Sequence, residues 1–407
     1  MVIVRKEAED LKKIKKWLFI FGRRKTGKTF LVKNFLQYDE YFFIKNDKGI
    51  MAENSGKEIT YETFIELLKR SLKENKIVVV DEFHRLGNSF LDFLHFTEKN
   101  GKIILISSTL NLSKNLLDKK SAILGLFAEA PIGLIKLDDC VRFLGKNYKL
   151  DKKSLLEAAV LIREPIAVDY LSEKINPREL ISEVLIRSIK TMPALIGEIF
   201  TEEERSISAV YEGILRAVAG GRVVSTEISS YLFSKKLIKK DDPSLIQQYL
   251  ANLAEFGIIK KIGVYNKNKF VYKHASPLVR FYYYSDEKYN ISERAVTKEE
   301  IKRIIDELLP RIIEDNVREF LSEKFGLVEC VFESKDFDVD ACLLKFKKVD
   351  VAVEIKWKDK IGTDDIDKAL ETLSSVNPRE MFLFVPDKAK VKTDKIKVVD
   401  ITDFVSV

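Results

Sequence analysis

A five-residue apolar run, Trp17-Leu-Phe-Ile-Phe21, passes directly into Gly22-Arg23-Arg24-Lys25-Thr26-Gly27-Lys28-Thr29 and then into the amphipathic stretch FLVKNFL. Few local patterns restrict a fold as much. The spacing G-x-x-x-x-G-K-[ST] uses Gly22 and Gly27 to let the backbone wrap a polyphosphate with its N–H groups turned inward. Lys28 adds a point charge at the β- and γ-phosphates, and the Thr29 hydroxyl is placed to coordinate Mg²⁺. The octapeptide Gly22 to Thr29 is therefore the expected cradle for ATP with Mg²⁺. Such a loop works between a buried strand and a helix, which commits the first third of the chain to an α/β layer structure.

The neighbouring sequence agrees. YFFI, IVVV and IILIS are short continuous apolar runs bounded by polar turns, the pattern of strands buried on both faces of a parallel sheet. The run Ile77–Val80 ends in Asp81-Glu82, about 50 residues after the glycine loop. Carboxylates at a strand's C-terminal end lie where open α/β sheets place their ligands. Asp81 is expected to hold the Mg²⁺ shell, and Glu82 to orient and deprotonate an attacking water. The strand Ile103–Ile106 ends in Ser107-Ser108-Thr109, and Ser108 is the expected γ-phosphate sensor. His84, in the same loop region, reads as a packing residue.

Beyond this sheet, residues 138–204 carry helical spacing (SLLEAAVLI, ELISEVLIRSI) and read as a helical appendage. Residues 205–290 read as three helices followed by the strands IIKKI and KFVYKH, with Tyr284 to Thr297 as a charged linker. The third helix, Ser244 to Glu255, carries no Lys or Arg, so sequence-specific base readout there is disfavoured. The hairpin lysines 260, 261, 267, 269 and 273 offer sequence-independent phosphate contact instead. The 407 residues carry 70 Lys+Arg against 63 Asp+Glu, a mild excess that permits DNA as a partner without requiring it. The three cysteines show no pairing or metal spacing, no apolar run approaches membrane length, and the N-terminus turns charged by its fifth residue. A cytoplasmic protein with no membrane contact is expected. Three glutamines amid abundant Lys, Glu and Ile match the balance favoured by hot-growing organisms.

The last hundred residues restart an α/β pattern. Asp338-Val-Asp340 lies on one expected strand and Glu354-Ile-Lys356 on the next. Strand alternation puts Glu354 and Lys356 on one face, and Val353, Ile355 and Trp357 on the other. Carboxylates from adjacent strands with a lysine beside them suit metal-assisted phosphodiester cleavage. Asp340 and Glu354 would bind Mg²⁺ or Mn²⁺, and Lys356 would position water or offset developing charge.

Taken together, the glycine loop, the Asp81-Glu82 strand end, Ser107-Ser-Thr109, the helical segment and the three helices with a hairpin resemble the archaeal ATPase family, among the STAND-like relatives of the AAA+ ATPases. The C-terminal order of helix, Asp strand, Glu-x-Lys strand, helix and strand resembles the PD-(D/E)XK nuclease-like superfamily. That resemblance implies a helical glutamate as a third metal ligand, for which Glu319 is the candidate, although Glu319-Phe320 inverts the family order. Two departures stand out. Leu126, in Ser121-Ala-Ile-Leu-Gly-Leu126, replaces a candidate arginine finger, and Arg163-Glu164-Pro165 replaces a Gly-Gly-x-Pro turn, which offers Arg163 to a phosphate. The expected fold is an α/β parallel-sheet P-loop NTPase (1–137) with a helical lid (138–204), a winged-helix domain (205–290) and a restriction-endonuclease-like α/β domain (291–407). The expected function is an ATPase that switches a metal-dependent nuclease-like effector. The alternative is a nucleotide-gated DNA- or protein-binding module without cleavage. A protein partner or a homo-oligomer both stay open.

Overall fold

The computed structural model of the protein describes residues 2–110, 125–202, 207–333 and 337–406. Its first sheet contains β1 (Trp17–Phe21), β2 (Glu40–Ile44), β3 (Ile50–Ala52), β4 (Lys57–Ile59), β5 (Ile77–Asp81), β6 (Lys102–Ser107) and β7 (Phe127–Pro131). The spatial order is β4-β3-β2-β5-β6-β1-β7. The five strands from β2 to β7 in that order are parallel, and β3 and β4 extend the edge as an antiparallel hairpin. Both faces are covered, which explains the unbroken apolar runs. Trp17, Phe19, Val78, Val80 and Leu105 pack to one side, and Leu18, Ile20, Val79, Ile104 and Ile106 to the other. Because β1, β5 and β6 run in register, the residues leaving Phe21, Asp81 and Ser107 gather at one edge of the sheet.

Helices Leu137–Asn147, Lys152–Ile162, Pro165–Val168, Pro177–Arg187 and Thr191–Glu202 follow. Three more, Ala209–Ala219, Ser225–Ser234 and Gln247–Glu255, lead into the antiparallel pair β8 (Ile259–Val264) and β9 (Phe270–His274). The stretch expected as a linker from Tyr284 is ordered instead. A helix runs over Pro277–Tyr289, with Phe281, Tyr282, Tyr283 and Asp286 buried. The next helix, Lys298–Phe325, starts at a Thr297/Glu300 capping box and stops at Gly326 in the left-handed region.

The second sheet adds β10 (Val328–Glu333), β11 (Asp338–Lys345), β12 (Lys348–Ile355), β13 (Glu380–Phe384) and β14 (Lys397–Val399), in the order β14-β13-β12-β11-β10-β8-β9. The β8–β9 hairpin is therefore continuous with the C-terminal strands through parallel pairing of Gly263 and Val264 with Cys330 and Val331. A boundary at 290 cuts across this sheet, and a boundary at 204 lies outside the described residues. One face of the sheet (Val351, Val353, Ile355, Phe384) shares a single apolar core with Leu156, Ile181, Ile214, Leu253 and Ile312. The other face is covered by the helix Thr363–Ser374 through Ile366, Ala369 and Leu373. Among the described residues no helix is long and apolar enough to cross a membrane.

Candidate functional site

The loop after β1 closes tightly on its surroundings. A Cβ at Gly22 would lie 2.0 Å from the Ile132 carbonyl oxygen, so that position admits only glycine. Gly27, at φ 85°, precedes the helix Lys28–Phe35 in the left-handed region, a conformation that disfavours any side chain. Lys28 is buried, and its Nζ donates to the Gly22 and Arg23 carbonyls at 2.8 and 2.9 Å. Burial pulls its ammonium down to about 8, even with Glu82 and Asp81 opposing the shift. The remaining loop residues are tied to their flanks. Arg23 pairs with Glu164 at 2.5 Å, both side chains being buried, and Arg24 pairs with Glu198 at 2.8 Å. Arg5 donates to the Thr26 carbonyl, and Thr26 Oγ1 donates to Arg23 O at 2.9 Å. Lys25 faces a cavity beside the loop.

Across from this loop stand the strand-end carboxylates. Thr29 Oγ1 donates to Asp81 Oδ2 at 2.7 Å, and Tyr41 OH donates to the same oxygen. Desolvation raises the Asp81 carboxyl above its ordinary value against the pull of these two donors. Glu82 sits at φ 55°, a strained backbone that turns its carboxylate toward β6. Its Oε2 accepts from Ser108 Oγ at 2.8 Å and from Ser108 N at 3.2 Å. His84 is part of this cluster and not only packing, with Nδ1 3.3 Å from Glu82 Oε2 and 3.2 Å from Ser107 Oγ. The structure thus brings Lys28, Thr29, Asp81, Glu82 and Ser108 together at one sheet edge.

Next to the start of the Lys28–Phe35 helix lies a cavity of about 510 Å³, lined among others by Val2, Ile3, Phe30, Ile135, Ile166 and Leu195. Its apolar walls and size suit a flat heterocycle whose phosphates reach the loop. These residues come from the N-terminus, the loop helix and the helical segment, so no local motif announced them. Leu126 packs at the edge of the sheet core, and residues 121–124 of its motif lie outside the described residues. Arg163 does not reach the phosphate loop. It is buried, donates to Ile135 O at 3.1 Å and to Asn316, and pairs with Glu319 at 2.8 Å.

In the second sheet, Asp340 Oδ2 accepts from Ile355 N at 2.8 Å, which sets it beside Glu354. Glu354 is 7% exposed, and its Oε1 pairs with Lys356 Nζ at 2.5 Å. Its Oε2 is buried without a hydrogen-bond partner. Burial raises both carboxyls above their ordinary values, and Asp340 is raised further by Glu354 and Glu314. Such a crowded pair, with one oxygen unsatisfied, has the donor chemistry of a divalent-cation site. Glu319 does not join it. Its carboxylate is engaged by Arg163 and Lys260, and these cations hold it well below the ordinary range despite burial. The carboxylate of this helix that acts on Asp340 is Glu314, pushed up to about 7 by burial and by Asp315. Among the described residues no group of three or more His, Cys, Asp and Glu is arranged to hold a metal.

Comparison with known proteins places the first unit. The AAA domain family model matches residues 14–123, which contain the glycine loop, Asp81-Glu82 and Ser108. No curated protein matches the chain. Similar solved structures include the Aeropyrum pernix ORC2 protein in ADPNP-ADP complexes, at 14% identity and TM-score 0.40, covering 76% of this chain and 94% of that one. Cdc6p from Pyrobaculum aerophilum matches at 15% identity and TM-score 0.27, covering 74% of this chain and 91% of that one. Domain III of the Thermotoga maritima replication initiation protein DnaA matches at 15% identity and TM-score 0.27, covering 44% of this chain and 92% of that one. The chain thus contains an AAA domain on a parallel-sheet α/β fold.

Proposed function

We propose that this chain is an ATP-binding and ATP-hydrolysing switch that governs a metal-dependent, nuclease-like C-terminal unit. The observation that carries the reading is the 2.7 Å contact of Thr29 with Asp81 beside buried Lys28, on a loop matched by an AAA domain. The backbone N–H groups of Gly22 to Thr29 and the Lys28 ammonium bind the β- and γ-phosphates, while the apolar cavity takes the base. Thr29 and Asp81 would hold Mg²⁺, which would supply positive charge against that developing on the phosphates. Glu82 accepts the proton of the attacking water, and Ser108 fixes its carboxylate.

In the second half of the reading, after the ATPase core of 1–137 and the lid of 138–204, residues 205–290 are a winged helix whose hairpin extends the sheet of a PD-(D/E)XK-like unit at 291–407. Asp340 and Glu354 would hold Mg²⁺ or Mn²⁺, Glu314 would act on them through its charge as the helical carboxylate in place of Glu319, and Lys356 would orient the water. The lid reaches this site directly. Trp357, next to Lys356, donates through Nε1 to Glu157 of the lid at 3.1 Å, and Lys152 pairs with Asp400 at 2.7 Å. A lid displaced by nucleotide therefore strains the segment that follows Glu354 at the end of β12 and carries Lys356 and Trp357.

One observation favours the non-cutting alternative: among the described residues no third carboxylate joins Asp340 and Glu354 in a group arranged to hold a metal. Incubating the protein with plasmid and single-stranded DNA in Mg²⁺ or Mn²⁺, beside Asp340→Ala, separates the two. Cleavage lost in the variant supports the nuclease. Binding with no cleavage leaves a nucleotide-gated binding module.

A further inference from the structure

We propose that the tip of the β11–β12 hairpin, Lys345-Phe346-Lys347-Lys348, is the element with which this chain grips nucleic acid, the lysines on phosphates and the Phe346 ring against bases. The proposal rests on the reading that the C-terminal unit acts on nucleic acid, and it locates the contact away from the wing. Four of the wing lysines are occupied. Lys260 pairs with Glu319, Lys273 with Asp315 at 3.2 Å, Lys269 with Glu333 at 3.1 Å, and Lys267 donates to the Glu333 carbonyl at 2.7 Å. The fifth, Lys261, lies over the Phe270 ring at 3.9 Å. Acids of the helix Lys298–Phe325 and the end of β10 have thus engaged four of the five cations that a DNA-binding wing would present.

The hairpin tip has the opposite character. Lys345 faces Lys348 across the ladder, leaving Phe346 and Lys347 as a two-residue turn at φ 48° and 66°. Asn-Gly suits this geometry, whereas a phenylalanine in it is strained. Phe346 is also 92% exposed, the highest value for a large apolar side chain among the described residues. The three lysines are exposed, and among the described residues none joins an ion pair. A ring held out at a cost to the backbone and flanked by unneutralised cations matches a polyanion that also offers flat apolar faces. The position agrees. β11 carries Asp340 and Lys345 on one strand, roughly 17 Å apart at about 3.4 Å per residue, a span of about five base pairs along a duplex.

The test is fluorescence anisotropy of the full chain with a labelled single-stranded oligonucleotide and with its duplex, without divalent metal or ATP, across a salt series. Phe346→Asn relaxes the turn, so its melting temperature should equal or exceed that of the unaltered chain while its affinity for the single strand falls roughly 5- to 150-fold. Replacing Lys345, Lys347 and Lys348 by Gln should flatten the log–log salt slope by about 2 to 3. Unchanged binding in both variants would overturn the hairpin assignment. If Asp340-dependent cleavage persists unaltered in these variants, the nuclease reading stands without the hairpin. If the unaltered chain binds neither oligonucleotide, the hairpin assignment falls, and cleavage in Mg²⁺ or Mn²⁺ with ATP decides the nuclease reading separately.

Discussion

Replacing Lys28 by Met should stabilise the nucleotide-free protein while abolishing its response to ATP. In the folded chain the ammonium is buried and pulled down from 10.5 to about 8. At about 1.4 kcal/mol per tenfold, that gap is a folding penalty of about 3 kcal/mol at neutral pH. Met keeps the length of the stem, so no large cavity forms. It forfeits the two hydrogen bonds to the Gly22 and Arg23 carbonyls, worth roughly 1 kcal/mol each. The net expectation is a gain of about 1 kcal/mol, or roughly 1 °C in Tm if all 407 residues unfold as one unit. The sign reverses with pH. Between about 8 and 10.5 the unfolded chain holds a proton that the folded chain has released, so the unaltered protein gains stability through that window and closes the gap to Lys28→Met. Thermal melts of both proteins across pH 7 to 11, with and without ATP–Mg²⁺, provide the assay. A variant several kcal/mol less stable at pH 7, or one whose Tm still rises with ATP, would refute the reasoning.

Other consequences can be read the same way. Glu164→Ala strands the buried Arg23 guanidinium and should cost about 3–5 kcal/mol in denaturant unfolding, whereas the double change Arg23→Met with Glu164→Leu should recover most of it. Asp340→Asn removes a carboxyl that burial and Glu354 raise above its ordinary value. Above the ordinary carboxylate range the unfolded chain has released this proton while the folded chain still holds it, so the penalty is already present at neutral pH. The variant should melt higher than the unaltered chain there and match it once both states are protonated in acid. Glu82→Gln should retain ATP binding and lose roughly 10²-fold or more of the hydrolysis rate, measured as phosphate release.

What the sequence made legible follows from how local the chemistry is. The phosphate loop and Asp81-Glu82 are dictated by backbone needs at fixed spacing, so the residue types give them away. Glu354, Lys356 and Trp357 divide between faces by strand alternation, and the structure places Ile355 and Val353 in the core opposite Glu354. The helical glutamate was not legible. Glu314 and Glu319 lie on one uninterrupted helix, and five residues turn the axis by about 140°, so a choice between them needs the position of the sheet. The partners of the hairpin lysines were not legible for a related reason. Asp315, Glu319 and Glu333 come from later elements, and nothing local signals that β8 pairs with β10. Tyr41, which reaches Asp81 from β2, and the cavity wall from Val2 to Leu195 are likewise products of long-range packing.

Coupling between the two sites is the claim on which the account depends, and plasmid cleavage measured with and without ATP tests it most directly. The proteins to compare are the unaltered chain, Asp340→Ala and Lys28→Ala, each in Mg²⁺ or Mn²⁺. The account predicts metal-dependent cleavage that vanishes in Asp340→Ala and that ATP alters in the unaltered chain but not in Lys28→Ala. Cleavage indifferent to Asp340, or equal with and without ATP in the unaltered chain, would contradict it.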